Sequence, residues 1–249
     1  MLRKVDGNGI FIVVNNNPNL LVPVSDDVVL LSGDNILHEF GAWQLGLDYL
    51  SGLPDRVNLS CVIFGNDTFC HHRQMGPVEK FSFSRSFAMA KCETRPLASG
   101  ELASYGGSFV LDGISANGWI CTYLFSINGA ALDLLNWRIH DAYKEVKKWV
   151  PGGNDEASFF RSTMDESLKS HLTGWLFGRP GHPRWYRSES LQESNKNFFT
   201  DKALTIMCEK LLTARLMRNN IKIYSVFAPG LIACMRRWSS RIRLKIGHL

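Results

Sequence analysis

Three short polar stretches in this sequence each follow an apolar run. Asn15-Asn16-Asn17 follows 10–14, Gly33-Asp34-Asn35 follows 28–31, and Gly65-Asn66-Asp67-Thr68 follows 59–64. Open α/β sheets hold their ligands at the carboxyl ends of strands, so amide and carboxylate side chains there are candidates for binding. Asp67, coming straight off a buried-strand pattern, is the best placed carboxylate for a divalent cation, which takes oxygen ligands. Asn, Asp and Gly are also what any tight turn needs, and a single loop of this kind reads as a turn. Three of them at strand ends read equally well as a site.

Other chemistry is excluded by spacing. There is no G-x-S-x-G elbow, no G-x-x-x-x-G-K-[ST] and no G-x-G-x-x-G after a strand. His71-His72 lacks the paired His/Asp spacing of a metal site and reads as surface or flap histidines. The six cysteines show no C-x-x-C spacing, which makes them small buried hydrophobes rather than a disulfide framework or a zinc site.

The elements that must position these residues follow from hydrophobic period. Residues 10–14, 28–31 and 59–64 are short β-branched or apolar runs that read as buried strands of a largely parallel sheet. Phe40, Trp43, Leu47 and Leu50 recur at helical spacing and predict a helix over 38–50. Residues 71–107, with Phe-Ser alternation at 81–87, read as loops and short strands forming a mobile flap. Strands are expected at 108–111, 119–127 and 221–227, and helices at 129–149, 162–172 and 201–218, the second opening with Ser162-x-x-Asp165. Strand, strand, helix, strand is the rhythm of an open α/β sheet flanked by helices.

The formal net charge of +5 is unevenly spread. Residues 201–249 carry ten Lys/Arg against Asp201 and Glu209, while the first 200 residues are mildly acidic. This is not the basic face of a nucleic-acid binder. It predicts one domain over 1–228 and a basic amphipathic helix over 229–249. There Leu231, Met235, Trp238, Ile242 and Ile246 form an apolar stripe among Arg236, Arg237, Arg241, Arg243 and Lys245. Such a helix suits an anionic membrane surface, or equally packing on the domain's own core. No apolar run is long enough to cross a bilayer and no signal peptide is evident. The expected location is cytoplasmic, peripheral at the inner face of the membrane.

The segment His38-Glu39-Phe40-Gly41-Ala42-Trp43, taken with Gly65-Asn66-Asp67-Thr68, resembles the GT-A type glycosyltransferases of the rhamnan-synthesis family, which build bacterial surface polysaccharides. Trp119 to Phe125 is similar to the strand before that family's Asn-x-x-Ala-Leu helix start, here Asn128-Gly129-Ala130-Ala131-Leu132. The resemblance covers roughly residues 10–140 and, more faintly, 160–227. It implies a GT-A-like (Rossmann-like) open mixed sheet, a nucleotide-sugar donor and a saccharide or lipid-linked acceptor. Two departures stand out. Residues 10–14 match the family's second strand, so its first nucleotide-binding unit is missing or supplied differently. The usual Asp-x-Asp is also reduced to Asn66-Asp67. The alternative is therefore a non-catalytic partner in a polysaccharide assembly complex.

Glycosyl transfer must neutralise a leaving diphosphate and deprotonate an acceptor hydroxyl. On the resemblance, Asp67 would hold Mn²⁺ or Mg²⁺ for the first task, unless it caps a turn, with Arg73 or Arg85 supplying positive charge instead. Asp165 and Glu166 are the expected general base, although acidic residues also favour the first turn of any helix; Glu101 and Asp112 are rivals. Asn15, Asn35, His38, Glu39, Asn66, Trp119 and Thr122 would contact the donor or acceptor. Trp175, Trp185 and Tyr186 flank a Gly/Pro loop and could stack on an acceptor sugar or simply pack.

Overall fold

Parallel pairing of two short apolar runs opens the fold. β1 (Phe11–Asn15) lies beside β2 (Val28–Ser32), with Phe11 opposite Val28 and Asn15 opposite Ser32. A computed structural model of the chain describes residues 9–21, 25, 27–54, 59–68, 75–140, 143–178, 180–181 and 185–227. The tail 229–249, expected as a basic helix, lies outside the described residues. No helix among the described residues is long and apolar enough to cross a membrane.

α1 (Glu39–Ser51) forms where expected, burying Phe40, Trp43, Leu47 and Leu50. β3 (Cys61–Gly65) follows. The next element corrects the reading of 71–107 as a flap. α2 (Pro77–Cys92) is a 16-residue helix with proline in its first turn, where a missing N–H does no harm. The Phe-Ser alternation mimics a strand, but the buried set is Ser82, Phe83, Ser86, Phe87 and Ala90, which is a helical stripe with small serines on one edge. Phe81 is left at the surface.

β4 (Leu97–Leu111) and β5 (Ile114–Asn128) then make an antiparallel hairpin of two 15-residue strands, each much longer than the expected 108–111 and 119–127. Its two-residue turn, Asp112-Gly113, has both residues at positive φ, the geometry whose twist matches that of the flanking strands. The helix expected at 129–149 is broken into α3 (Gly129–Leu134) and α4 (Tyr143–Val146). Asn136 and Trp137 adopt left-handed φ there, and buried Gln44 takes the freed backbone, donating to Trp137 O (3.0 Å) and accepting from Ile139 N–H (2.9 Å). α5 (Glu166–Phe177), α6 (Lys196–Arg218) and β6 (Lys222–Ser225) complete the chain.

The main sheet has order β3-β5-β4-β6. It is mixed and open, antiparallel except where β6 joins β4 in parallel, so the largely parallel sheet expected from 10–14 and 59–64 is not what forms. β1 and β2 pair with each other and not with the main sheet, and they are half-buried rather than core strands. The register partners Val13 and Leu30 are exposed.

Helices cover both faces of the main sheet. On one, Phe83 and Phe87 of α2 pack on Tyr123 and Leu124, and Ser86 Oγ bonds Ser99 Oγ (2.7 Å). On the other, α1, α5 and α6 bury the larger core, including Phe40, Phe125, Phe159, Phe160 and Phe199. α/β layering of this kind is compatible with a Rossmann-like fold.

Candidate active site

The first turn of α1 is where the expected loops meet. Gly33 N–H donates to Asn15 O (3.0 Å), joining the ends of β1 and β2, and Asn16 Nδ2 donates to His38 O (3.2 Å) at the helix start. One turn further along, Trp43 Nε1 donates to Gly65 O (3.1 Å), bringing in the end of β3. The ladder continues past β3 with Asn66 N–H on Tyr123 O (3.2 Å). Beyond Asn66 the chain leaves the sheet, and Asp67 lies in the turn that follows β3. Hydrogen bonds thereby tie the ends of β1 and β3 to α1, and the end of β2 to that of β1.

Backbone strain marks the same place. Asn35, Leu37 and His38 all hold positive φ. That region is sparsely populated for residues with side chains, and such strain is commonest at functional sites. Gly41 permits this bend, since a Cβ there would lie 2.0 Å from Ile36 O. The strained loop forms one wall of an open cleft of about 340 Å³, lined by Asn35, Ile36, Leu37 and His38 and, across from them, by Asp201 and Leu204 of α6.

Glu39 sits at this junction. Burial pushes its carboxyl above the usual glutamate range, the field of Glu209 pushes it further the same way, and its own backbone N–H, Lys202 and His38 pull it back. Glu209 is itself held in place. Thr122 Oγ1 donates to its Oε2 (2.9 Å) and Lys210 Nζ contacts its Oε1 at 2.7 Å. Lys210 is buried, and its ammonium stands 3.2 Å from the centre of the Trp119 ring. An aromatic face attracts a cation, while burial lowers the lysine's pKa against the pull of Glu209. Thr122 and Trp119 therefore support α6 from the sheet, as anchors for Glu209 and Lys210.

Lys202 and Glu209 are the residues that sequence reading missed. They lie seven apart on α6, so they share a face, and opposite charges two turns apart were a usable signal.

The remaining expectations divide clearly. Asn15 is occupied locally, donating to Leu20 O (2.9 Å) and accepting from Asn17 N–H (3.0 Å), while Asn66 Oδ1 accepts from Thr68 N–H (3.1 Å). Asn35 and His38 line the cleft, and Glu39 follows His38 as the first residue of α1. Asp67 is exposed at its strand end. Asp165 caps α5, accepting from Leu168 N–H (3.0 Å) and Ser167 Oγ (2.5 Å), and the backbone amide of Val110 also helps hold its carboxyl low. Glu166 is exposed and pairs with Lys169 at 3.7 Å. The rivals are also engaged: Asp112 with Arg218 (2.6 Å) and Lys148 (3.5 Å), and Glu101 with Tyr123 Oη (2.6 Å). Arg85 is exposed on α2, across the sheet from the cleft. Arg73, His71 and His72 lie outside the described residues.

Trp185 runs parallel to both Trp175 and Phe198, with 5.6 Å between centroids in each pair, and Arg187 lies 4.3 Å from the Phe198 ring centre. That stack is internal packing, which leaves Tyr186 as the exposed ring of the group. Four cysteines are described and all are free; Cys92 is exposed, against the expectation of burial.

Among the described residues no group of three His, Cys, Asp or Glu is arranged to hold an ion. One carboxylate at Asp67 fits Mg²⁺ or Mn²⁺ as a cation whose other ligands are phosphate and water oxygens. Comparison with protein-family models, with curated proteins and with solved structures finds no match for this chain.

Proposed function

We propose that the chain is a glycosyltransferase that moves a sugar from a nucleotide-diphosphate sugar to a saccharide or lipid-linked acceptor. The observation that carries this reading is the head of α1, to which the ends of β1 and β3 are hydrogen-bonded, standing at an open cleft whose far wall is Asp201 and Leu204 of α6. In the reaction the acceptor oxygen bonds to the sugar C1 while the bond from C1 to the phosphate oxygen breaks. Its electron pair goes to the diphosphate, and the acceptor proton goes to a carboxylate. Glu39 is the residue assigned that proton: it follows the cleft-lining His38 at the start of α1, whereas Asp165 is taken up by its cap. Desolvation and the neighbouring Glu209 carboxylate both raise its pKa, the direction that suits a carboxylate for taking a proton. Asn35 and His38 would contact sugar or ribose hydroxyls. Asp67 would hold a divalent cation, which when bound neutralises diphosphate charge.

Calorimetry against a panel of nucleoside diphosphates, with and without Mn²⁺, tests the reading. Binding that tightens with the cation and loses that gain in Asp67→Ala is the expected result. A panel in which nothing binds would remove the reading. A second reading, a non-catalytic partner in a polysaccharide assembly complex, draws on the β1–β2 pair, whose apolar Val13 and Leu30 stand exposed apart from the main sheet. Absence of nucleotide binding together with stable association with another transferase would favour it.

A further inference from the structure

Six residues line the cleft at the head of α1, and their chemistry divides evenly. Leu37 and Leu204 are buried apolar side chains and Ile36 is an exposed one. Asn35 and His38 on one wall and Asp201 on the other supply the polar groups. Among the described residues these three side chains take no hydrogen bond and no ion pair, while the backbone around them is fully used. His38 N–H donates to Asn35 O (3.3 Å), His38 O accepts from Asn16 Nδ2 (3.2 Å), and Asp201 O accepts from Thr205 Oγ1 (3.1 Å). Asp34 Oδ1 accepts from Ile36 N–H (2.8 Å) in the same strained loop. Main-chain bonds therefore fix the walls and leave the side chains for a ligand, which lowers the cost of ordering them on binding. No lysine or arginine is among the described residues of the lining, so its one acidic group, Asp201, stands there without a counter-charge.

We propose that this cleft receives the neutral sugar ring of the acceptor, with Asp201 accepting hydrogen bonds from its hydroxyls; the acceptor role rests on the transferase reading above. A carboxylate only accepts, the Asn35 amide both donates and accepts, and a neutral imidazole such as His38 offers one nitrogen of each kind. Sugar hydroxyls, which donate and accept, satisfy that set, and the C–H groups of the ring lie against Leu37 and Leu204. A phosphate or a carboxylate placed there meets the like charge of Asp201, so the lining selects against anions. The size agrees: about 340 Å³ is near the lower end of small-molecule sites, roughly 300–1,000 Å³, and suits a monosaccharide unit better than a whole nucleotide sugar. The diphosphate is thereby left to the Asp67 end of β3.

The test is an amide NMR titration of the full chain with the methyl glycosides of glucose, galactose, mannose and rhamnose, and with the uronic acids of the first three. Wild type is compared with Asp201→Ala and Asp201→Asn, whose melting curves check the fold. The expected result is a neutral glycoside whose shifts centre on residues 35–38 and 201–204. Its affinity should fall about 10- to 100-fold in Asp201→Ala, the scale of a hydrogen bond to a charged group, while nucleoside diphosphate affinity stays unchanged. The corresponding uronic acid should bind wild type more weakly than the neutral glycoside, and Asp201→Asn should close that gap. Neutral glycoside affinity within twofold of wild type in folded Asp201→Ala would overturn the role of Asp201, and a wild type that prefers uronic acids would overturn the selection against anions. Nucleoside diphosphate binding with no glycoside binding removes the sugar cleft and leaves the proposed function standing. Glycoside binding with no diphosphate binding removes the transfer reaction and the acceptor role with it.

Discussion

Asn128 ends β5 and begins α3 with a side chain 1% exposed that serves four backbone groups at once. Its Oδ1 accepts from Leu97 N–H and Ala131 N–H, both at 3.0 Å, and its Nδ2 donates to Glu93 O (2.9 Å) and Arg95 O (2.8 Å). One amide thus caps a helix, starts β4 and closes the connection from α2. Replacing it with alanine strips partners from two donors and two acceptors where water has little access. At about 1 kcal/mol net for each bond the cost is about 4 kcal/mol, a large part of the roughly 5–15 kcal/mol that holds a domain together. Urea unfolding followed by far-UV circular dichroism reads this directly. With a slope near ~3 kcal/mol/M, the midpoint should fall by about 1.3 M at unchanged slope. Asn128→Asp keeps both acceptors but turns carboxylate oxygens on two carbonyls, so it should be nearly as damaging at neutral pH. It should recover as pH falls and the buried carboxyl takes up a proton. A midpoint shift below about 0.3 M for the alanine variant, equivalent to about 1 kcal/mol, would refute the four-bond reasoning.

The buried pair on α6 gives a second prediction. Glu209→Gln leaves the Lys210 ammonium enclosed without its counter-charge, at about 3 kcal/mol, the low end for a broken buried pair. The low end applies because the Glu209 side chain is 23% exposed. Adding Lys210→Met should restore most of that, and a double-mutant cycle showing the two effects simply adding would refute the pairing. Glu39 gives a third, with a pH signature. Its folded pKa lies above the unfolded value, so its ionisation opposes folding, and the penalty is absent below pH 4.5 and grows as pH rises through the folded pKa. Glu39→Gln should therefore be more stable than wild type at pH 7.5, with the difference gone at pH 3.5. An equal difference at both pH values would show that burial of charge is not its source.

How far the sequence could be read depended on which force decided each element. The run at 10–14 and the Phe40/Trp43/Leu47/Leu50 stripe carry their period in apolar residues alone, and β1 and α1 form there. α2 was hidden because its small buried residues are serines, whose polarity masks a helical face. The hairpin was legible in Asp112-Gly113, a strong turn signal, yet β4 begins far upstream in glycine- and serine-containing sequence where alternation fades. At the site, loops at strand ends could be anticipated from composition. The charged face of α6 could not be linked to them, because its proximity to Glu39 depends on packing between elements more than 150 residues apart. Asp165 shows the converse, a carboxylate whose type and position suit chemistry but whose hydrogen bonds serve a helix start.

The parallel pairing of β6 with β4, Leu97 beside Lys222, governs the order in which this chain can assemble during synthesis. The β4–β5 hairpin can close as soon as it leaves the ribosome, since its contacts are local. The strand that covers β4's other edge arrives only after α3 to α6 have been made. At roughly 5–20 residues per second, that edge stays bare for many seconds, its N–H and C=O groups open to another chain. A nascent chain stalled before Ile221 would hold most of its core and still present a ready template for aggregation.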